Sequence, residues 1–419
     1  MLPDSQSGSR ERCQHLCSGA QSMSEFSLSI KQEPNRFFNG ESSPLFSTEV
    51  ARIAREFHQR IPGYEPTPLR SLDQLAHQLG LKKILVKDEA YRFGLNAFKV
   101  LGGSYAIGKC VSNKLGIPLE EFSFDSLKGQ EPITFATATD GNHGRGVAWA
   151  AMQLGQNAVV YMPKGAAKER VENIRRLGAE CIVTDLNYDD AVRLACKNAD
   201  ENGWLMVQDT AWEGYTEIPT WIMQGYMTMA DEAVEQMQAM GIDRPTHTIL
   251  QAGVGAMAGG VLGYLANRYG ADRFTGITAE PHQADCIYKS GCSGDGSAVN
   301  VTGDLDTIMV GLACGEPNPL GWEVLRNCSR HFMSVEDRTA ALGMRIQASP
   351  LHGDERIIAG ESGAIGVGTL YAIAHHPDAK SIMKDLGLDS SSVVLLFNTE
   401  GDTDPVNYQD VVWEGKYGI

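Results

Sequence analysis

Short runs of apolar residues recur along the chain, at Ile84–Val86, Ile133–Ala136, Ala158–Tyr161, Cys181–Val183 and Val393–Phe397, each too brief to be a helix. Between them lie stretches with apolar positions three and four apart, which predict helices over 144–154, 167–177 and 215–240. Continuous apolar strands alternating with helices belong to an α/β fold with mostly parallel sheets, buried on both faces and flanked by helices. The regular strand-helix succession from about Ile133 suggests two lobes: a small domain over 132–212, enclosed by a large domain formed from 24–131 and 213–419. One uncharged run, Ile249 to Ala266, is long enough to cross a membrane. Its five glycines and its strand-like entry, Thr246 to Gln251, predict instead a strand, a glycine loop and a helix.

A chain of 419 residues with 42% hydrophobic content can bury the cores of both lobes. Its net charge of −16 and pI near 5.1 argue against nucleic acid or an anionic membrane as partner, and favour a small cationic or zwitterionic molecule. Nine cysteines without a CxxC pair read as reduced thiols, and so as a cytoplasmic protein without a metal site. Residues 1–23 are polar, lack the apolar core of a secretory signal and read as a disordered leader; Met23 is an alternative start. Cys13 and Cys17 within it are too sparse to hold a metal.

Candidate chemistry gathers at four places. Lys99 is the only charged residue between Gly94 and Ile107 and has Phe93, Leu95, Phe98, Val100 and Leu101 around it, which predicts partial burial. Burial disfavours an ammonium, so a nucleophilic amine is expected there; the plain alternative is a lysine reaching out of a core helix. The segment Thr137 to Gly146 follows a strand and opens a helix, where free N–H groups can seat a carboxylate; alternatively Asp140 simply caps the helix. Gly253 to Gly260 offers small residues that let backbone amides wrap an anion, yet lacks the Gly-Lys-Ser/Thr ending of a P-loop and the spacing of a dinucleotide fingerprint. The last strand runs into an acidic cluster, Asn398 to Asp404.

Taken in this order, these segments resemble the fold type II pyridoxal-phosphate enzymes, the tryptophan synthase beta-like family, over most of the chain after Ser24. Supporting stretches are Thr67 to Leu69, Lys87 to Glu89 and Glu361 to Ala364. The resemblance implies a two-lobed fold and pyridoxal 5'-phosphate as cofactor, with Lys99 as the Schiff-base lysine and Asn142 beside the cofactor's phenolic oxygen. It also implies a substrate-carboxylate loop at Thr139, Gly141 and His143, and a phosphate loop at Gly253, Val254, Gly255, Ala256 and Met257. A neutral partner for the pyridine nitrogen falls at Asn398 or Thr399, Asn398 standing where many relatives have Ser; Asp402 is the charged alternative. A neutral partner makes the ring a weaker electron sink and suits prompt loss of a β-leaving group.

Within these enzymes the chain is most similar to the diaminopropionate ammonia-lyases, through Arg92 to Lys99, Thr139 to Gly144, Val207 to Tyr215 and Thr399 to Thr403. That resemblance implies α,β-elimination of D- or L-2,3-diaminopropionate to pyruvate and two ammonia. Asp140, where dehydratases of this fold usually carry Ser or Ala, and Asp209 are the implied bases for the two faces of the α-carbon. Acidic groups would also attract the second, cationic amine of a diamino acid. A homodimer is expected by analogy. The competing readings are a serine or threonine dehydratase on the same scaffold and a non-catalytic small-molecule binding protein.

Overall fold

The computed structural model describes residues 28–127, 129–139 and 141–418. The leader 1–23, with Cys13, Cys17 and Met23, and the candidate base Asp140 lie outside the described residues.

Eleven strands form two sheets among the described residues. The larger uses β1 (Ile30–Pro34), β2 (Leu69–Ser71), β3 (Lys83–Asp88), β8 (His247–Gln251), β9 (Thr275–Pro281), β10 (His331–Val335) and β11 (Val393–Asn398), in the order β1-β10-β9-β8-β11-β3-β2. Its five central strands are parallel, while β1 and β2 close the edges antiparallel. The smaller sheet is all parallel: β4 (Thr134–Ala138), β5 (Asn157–Met162), β6 (Glu180–Val183) and β7 (Leu205–Met206), in the order β6-β5-β4-β7.

The apolar runs are central strands because both of their faces are covered. In register, Leu395 opposes Leu85 and Leu396 opposes Val86. Leu85, Leu395 and Phe397 enter one core, whereas Ile84, Val86, Val394 and Leu396 enter another on the opposite face, as the two-residue period of a strand requires. The predicted helices occur at Asn142–Gln153, Lys168–Arg175 and Glu217–Ala239. The second stops short of the expected Leu177 and is followed by Gly178, whose φ of 81° a helix cannot continue. The long uncharged run divides into β8, a glycine turn and the helix Ala256–Tyr269, and among the described residues no helix is long and apolar enough to cross a membrane.

The four-stranded sheet lies within 132–212, yet packing does not break at 131. The helix Val100–Leu115 packs both on Asn142–Gln153 and on Glu217–Ala239. Glycine makes the first contact possible: a Cβ on Gly146 would stand 2.9 Å from the backbone Cα and N of Val100. The helix that begins beside Lys99 is thereby seated on the helix that begins at Asn142.

Candidate active site

Parallel strands place the ends of their chains on one side, and in both sheets the carboxyl ends of strands open into one shared cavity. β8 delivers Gln251 to Gly253, β11 delivers Thr399 and Glu400, β4 leads to Thr139, and β7 leads through Val207 to Asp209. Lys99 enters from the turn after β3. That turn is stapled to the end of β11: Phe98 N–H donates to Thr399 O (3.1 Å), Gly401 N–H to Asn96 O (3.0 Å), and Asn96 Nδ2 to Asp402 Oδ1 (2.9 Å). Asn96 adopts a left-handed conformation, φ 58°, that asparagine tolerates better than most residues. Behind the turn, the buried Arg92 guanidinium is gripped by Glu89 and Glu232 at 2.8 Å each.

Lys99 Nζ lies 2.5 Å from Asp209 Oδ2. This corrects the expectation that burial alone would free the amine. Burial does pull the Lys99 ammonium down, but the Asp209 carboxylate outweighs it and holds the lysine above its ordinary range. Reciprocally, burial would raise the Asp209 carboxyl, and the Lys99 ammonium outweighs it and holds Asp209 well below the usual carboxylate range. In the absence of any further group the pair is an ammonium and a carboxylate, so Lys99 must give up a proton before it can act as a nucleophile.

At the start of the helix Asn142–Gln153, Thr139 Oγ1 accepts from Gly141 N–H (3.0 Å) and Gly144 N–H (3.1 Å). Thr139 thus satisfies two of the four N–H groups at this end that lack an intrahelical acceptor, and those of Asn142 and His143 are, among the described residues, open to a carboxylate. The His143 side chain does not join that seat. It turns inward, with Nε2 2.9 Å from Val207 O. Asn142 Nδ2 donates to Glu400 Oε2 at 2.7 Å, which orients the amide in the cavity.

Residues 253–257 all line the cavity. Gly255, with φ 89°, is the N-cap of Ala256–Tyr269, and a Cβ on Gly253 would meet Leu312 Cα at 3.2 Å and Cys314 Sγ at 3.3 Å. The loop is thus a close-fitting backbone cradle at a helix N-terminus, suited to a phosphate.

The two candidates for the pyridine nitrogen separate. Asn398 is fully buried, spends Nδ2 on Asp88 Oδ1 (2.8 Å) and Ile358 O (3.0 Å), and does not line the cavity. Thr399 does line it, and its Oγ1 accepts from Gln251 Nε2 at 2.9 Å, so its hydroxyl hydrogen is left to donate. Asp402 is held by Asn96, outside the lining. An amine, a phosphate cradle, an oriented amide and a neutral hydroxyl therefore face one cavity, a donor set that fits pyridoxal phosphate.

Sequence reasoning assigned no role to Glu361, Glu400 or Tyr226, which also line the cavity. Glu361 is pushed up to about 7 by burial, with Glu400 beside it adding repulsion. Glu400 accepts from Ser362 N–H (3.1 Å) as well as from Asn142. Tyr226, 1% exposed, has no hydrogen-bond partner for its hydroxyl among the described residues. The two glutamates sat inside family-like strings, so a signal existed; nothing in the helical pattern around Tyr226 distinguished it from core.

Known proteins resemble this chain closely. The profile of the family described as pyridoxal-phosphate dependent enzyme matches residues 61–385. A diaminopropionate ammonia-lyase of Escherichia coli (strain K12) is 62% identical over 399 residues, covering 95% of this chain and 100% of the relative. Among solved structures, the Escherichia coli diaminopropionate ammonia lyase in complex with an aminoacrylate-PLP azomethine reaction intermediate superposes with a TM-score of 0.89 at 61% identity, covering 94% of this chain and 100% of that one. The same enzyme in complex with D-serine has a TM-score of 0.89 at 61% identity, over 94% of this chain and 99% of that one.

Proposed function

From the premise that the chain belongs to the pyridoxal-phosphate-dependent enzymes, and among them to the diaminopropionate ammonia-lyase family, we propose the reaction and the residues that perform it. The protein is a pyridoxal-phosphate-dependent lyase that eliminates ammonia from 2,3-diaminopropionate. With one water, the diamino acid becomes pyruvate and two ammonia. The single observation that carries the residue assignment is the Lys99–Asp209 contact, an amine and a carboxylate at 2.5 Å inside the cavity that also holds the glycine cradle.

Bound pyridoxal phosphate supplies the electron sink for the α-carbon's electrons. Lys99 would hold it, with the cradle Gly253 to Met257 on its phosphate, Asn142 at its phenolic oxygen and Thr399 donating to its ring nitrogen. The N–H groups at the start of Asn142–Gln153 would orient the substrate carboxylate, with Thr139 and Gly141 shaping the turn. Asp209 Oδ2 would take the α-proton of one enantiomer and Asp140 that of the other. The β-ammonium needs no further proton to leave as ammonia, and the carboxyl groups of Asp209 and Glu400 face the cavity, which suits a second cationic amine. The aminoacrylate released takes up water and loses the second ammonia.

A homodimer, a cytoplasmic location and a small domain over 132–212 belong to the same proposal. They are supported by the fold type, by cysteine usage and by the extent of the four-stranded sheet.

The test supplies purified, cofactor-loaded protein with D-2,3-diaminopropionate, L-2,3-diaminopropionate and serine, and measures pyruvate. Turnover of a diaminopropionate well above that of serine is expected. Consumption of serine alone would make the protein a dehydratase, and consumption of none would make it a binding protein.

A further inference from the structure

We propose that His143 is a positioning residue for Asp209: its Nδ1 accepts a hydrogen bond from Asp209 Oδ2 once that oxygen has taken the substrate's α-proton, and so strengthens Asp209 as a base. The proposal rests on the reading of Asp209 as the base for one enantiomer.

The geometry decides which nitrogen carries the hydrogen. Val207 O can only accept, so His143 Nε2, 2.9 Å away, is the N–H. Burial holds the ring neutral, the Lys99 charge adding to that and Asp209 working against it. Nδ1 is then a lone pair. It is buried, has no hydrogen-bond partner among the described residues, and faces Asp209 Oδ2 at 3.9 Å. The ring is 4% exposed, so water does not satisfy it freely.

A lone pair opposite an ionised carboxylate oxygen gains nothing, whereas opposite a protonated one it gains a hydrogen bond. Nδ1 therefore favours only the protonated state of Asp209. Lys99 acts in the opposite sense through the same oxygen, and its ammonium leaves Oδ2 when the amine is engaged elsewhere. From then on burial and His143 set the basicity of Asp209. The other titratable groups facing it are Tyr226 from the helix Glu217–Ala239 and Tyr215 from the turn before that helix, with Cys314 near Lys99; Asp140 lies outside the described residues. In the step itself the α C–H bond breaks and an O–H bond forms at Oδ2. The C–H electron pair becomes the new C=C bond, and the Cβ–N pair departs with ammonia. The proton stays on Oδ2, shared with Nδ1, until it passes to Lys99 Nζ or to water.

The experiment measures kcat/KM against pH for each enantiomer in the wild type, Asp209→Asn, His143→Leu and His143→Gln. In His143→Leu the acid limb should move down by about 0.5–1 pH unit, what one hydrogen bond to one protonation state supplies, for the enantiomer that Asp209→Asn abolishes. The plateau should fall by about three- to tenfold for that enantiomer, as a weaker base predicts. The other enantiomer's limb should stay. His143→Gln, whose amide can donate to Val207 O and still accept from Asp209, should restore the limb. An unmoved limb in His143→Leu, or equal movement for both enantiomers, would overturn the proposal. If Asp209→Asn spares both enantiomers, the base assignment fails instead. Independently of turnover, 15N NMR of the cofactor-free protein should show the Nε2–H tautomer of His143 between about pH 6 and 9; the Nδ1–H tautomer would refute the geometry.

Discussion

Asn142 and Glu400, 258 positions apart in the chain, are joined by a 2.7 Å hydrogen bond from Asn142 Nδ2 to Glu400 Oε2. Because Glu400 Oε1 also accepts from Ser362 N–H, one carboxylate ties together the turn after β4, the turn after β11 and the start of the helix Glu361–His375. A hydrogen bond to a charged acceptor contributes about 1.5–3 kcal/mol. Glu400→Ala is therefore expected to weaken pyridoxal phosphate binding by about tenfold or more while leaving the fold intact, read by titrating cofactor-free protein and following fluorescence. Unchanged affinity would show that Asn142 does not need the carboxylate.

Lys99 and Asp209 stabilise one another only while both are charged. In the wild type the depressed Asp209 group contributes stability that is present above the ordinary carboxylate range and lost on acidification. In cofactor-free Lys99→Met, burial would act on Asp209 without that ammonium and raise it, so this variant should lose stability as pH rises. Its stability deficit, followed as Tm and by denaturant unfolding, should widen from about pH 5 to about pH 8, reaching about 3 kcal/mol at neutral pH, and Asp209→Asn in the same background should narrow it. A deficit independent of pH would exclude the ion pair as its cause.

Opposite faces of the α-carbon call for separate bases. Asp209→Asn should lower turnover of one diaminopropionate enantiomer by about 10²–10⁴, and Asp140→Asn should do so for the other. Pyruvate formation from each pure enantiomer reads the result, and equal loss for both enantiomers in either variant would refute the face assignment.

Glu361 titrates where a carboxylate seldom does. Its value of about 7, raised by burial and then by Glu400, means that the folded protein holds this proton longer than the unfolded chain. Stability from this group is full at low pH and falls as pH rises from the ordinary glutamate range through about 7. Glu361→Gln should flatten that fall in cofactor-free protein, measured as Tm against pH; an equally steep fall in the variant would assign the titration elsewhere.

Gly146 touches the backbone of Val100, so any side chain there must push on the residue next to Lys99. Gly146→Val should cost about 1–3 kcal/mol or more in denaturant unfolding and lower cofactor affinity together with it. A variant of wild-type stability and affinity would mean that the two helices move apart without consequence for the site.

Much of the architecture was legible from the chain because it is local. The period of apolar positions specifies strands and helices, and Val393 to Phe397 or Ile249 to Ala266 could be divided correctly without knowing their neighbours. Lys99 and the glycine turn before Ala256 were legible too, since an isolated lysine among apolar residues and a run of small residues at a strand's end are patterns within a few positions. Charge state and side-chain direction were not. Asn398 and Thr399 are adjacent, and the direction the strand ends in turns one toward Asp88 and the other into the cavity. Lys99 is an ammonium rather than a free amine because Asp209, brought in from the second sheet, outweighs burial. Strand ends distant in sequence converge only when two sheets fold over one cavity, and electrostatics depends on those distances rather than on order along the chain.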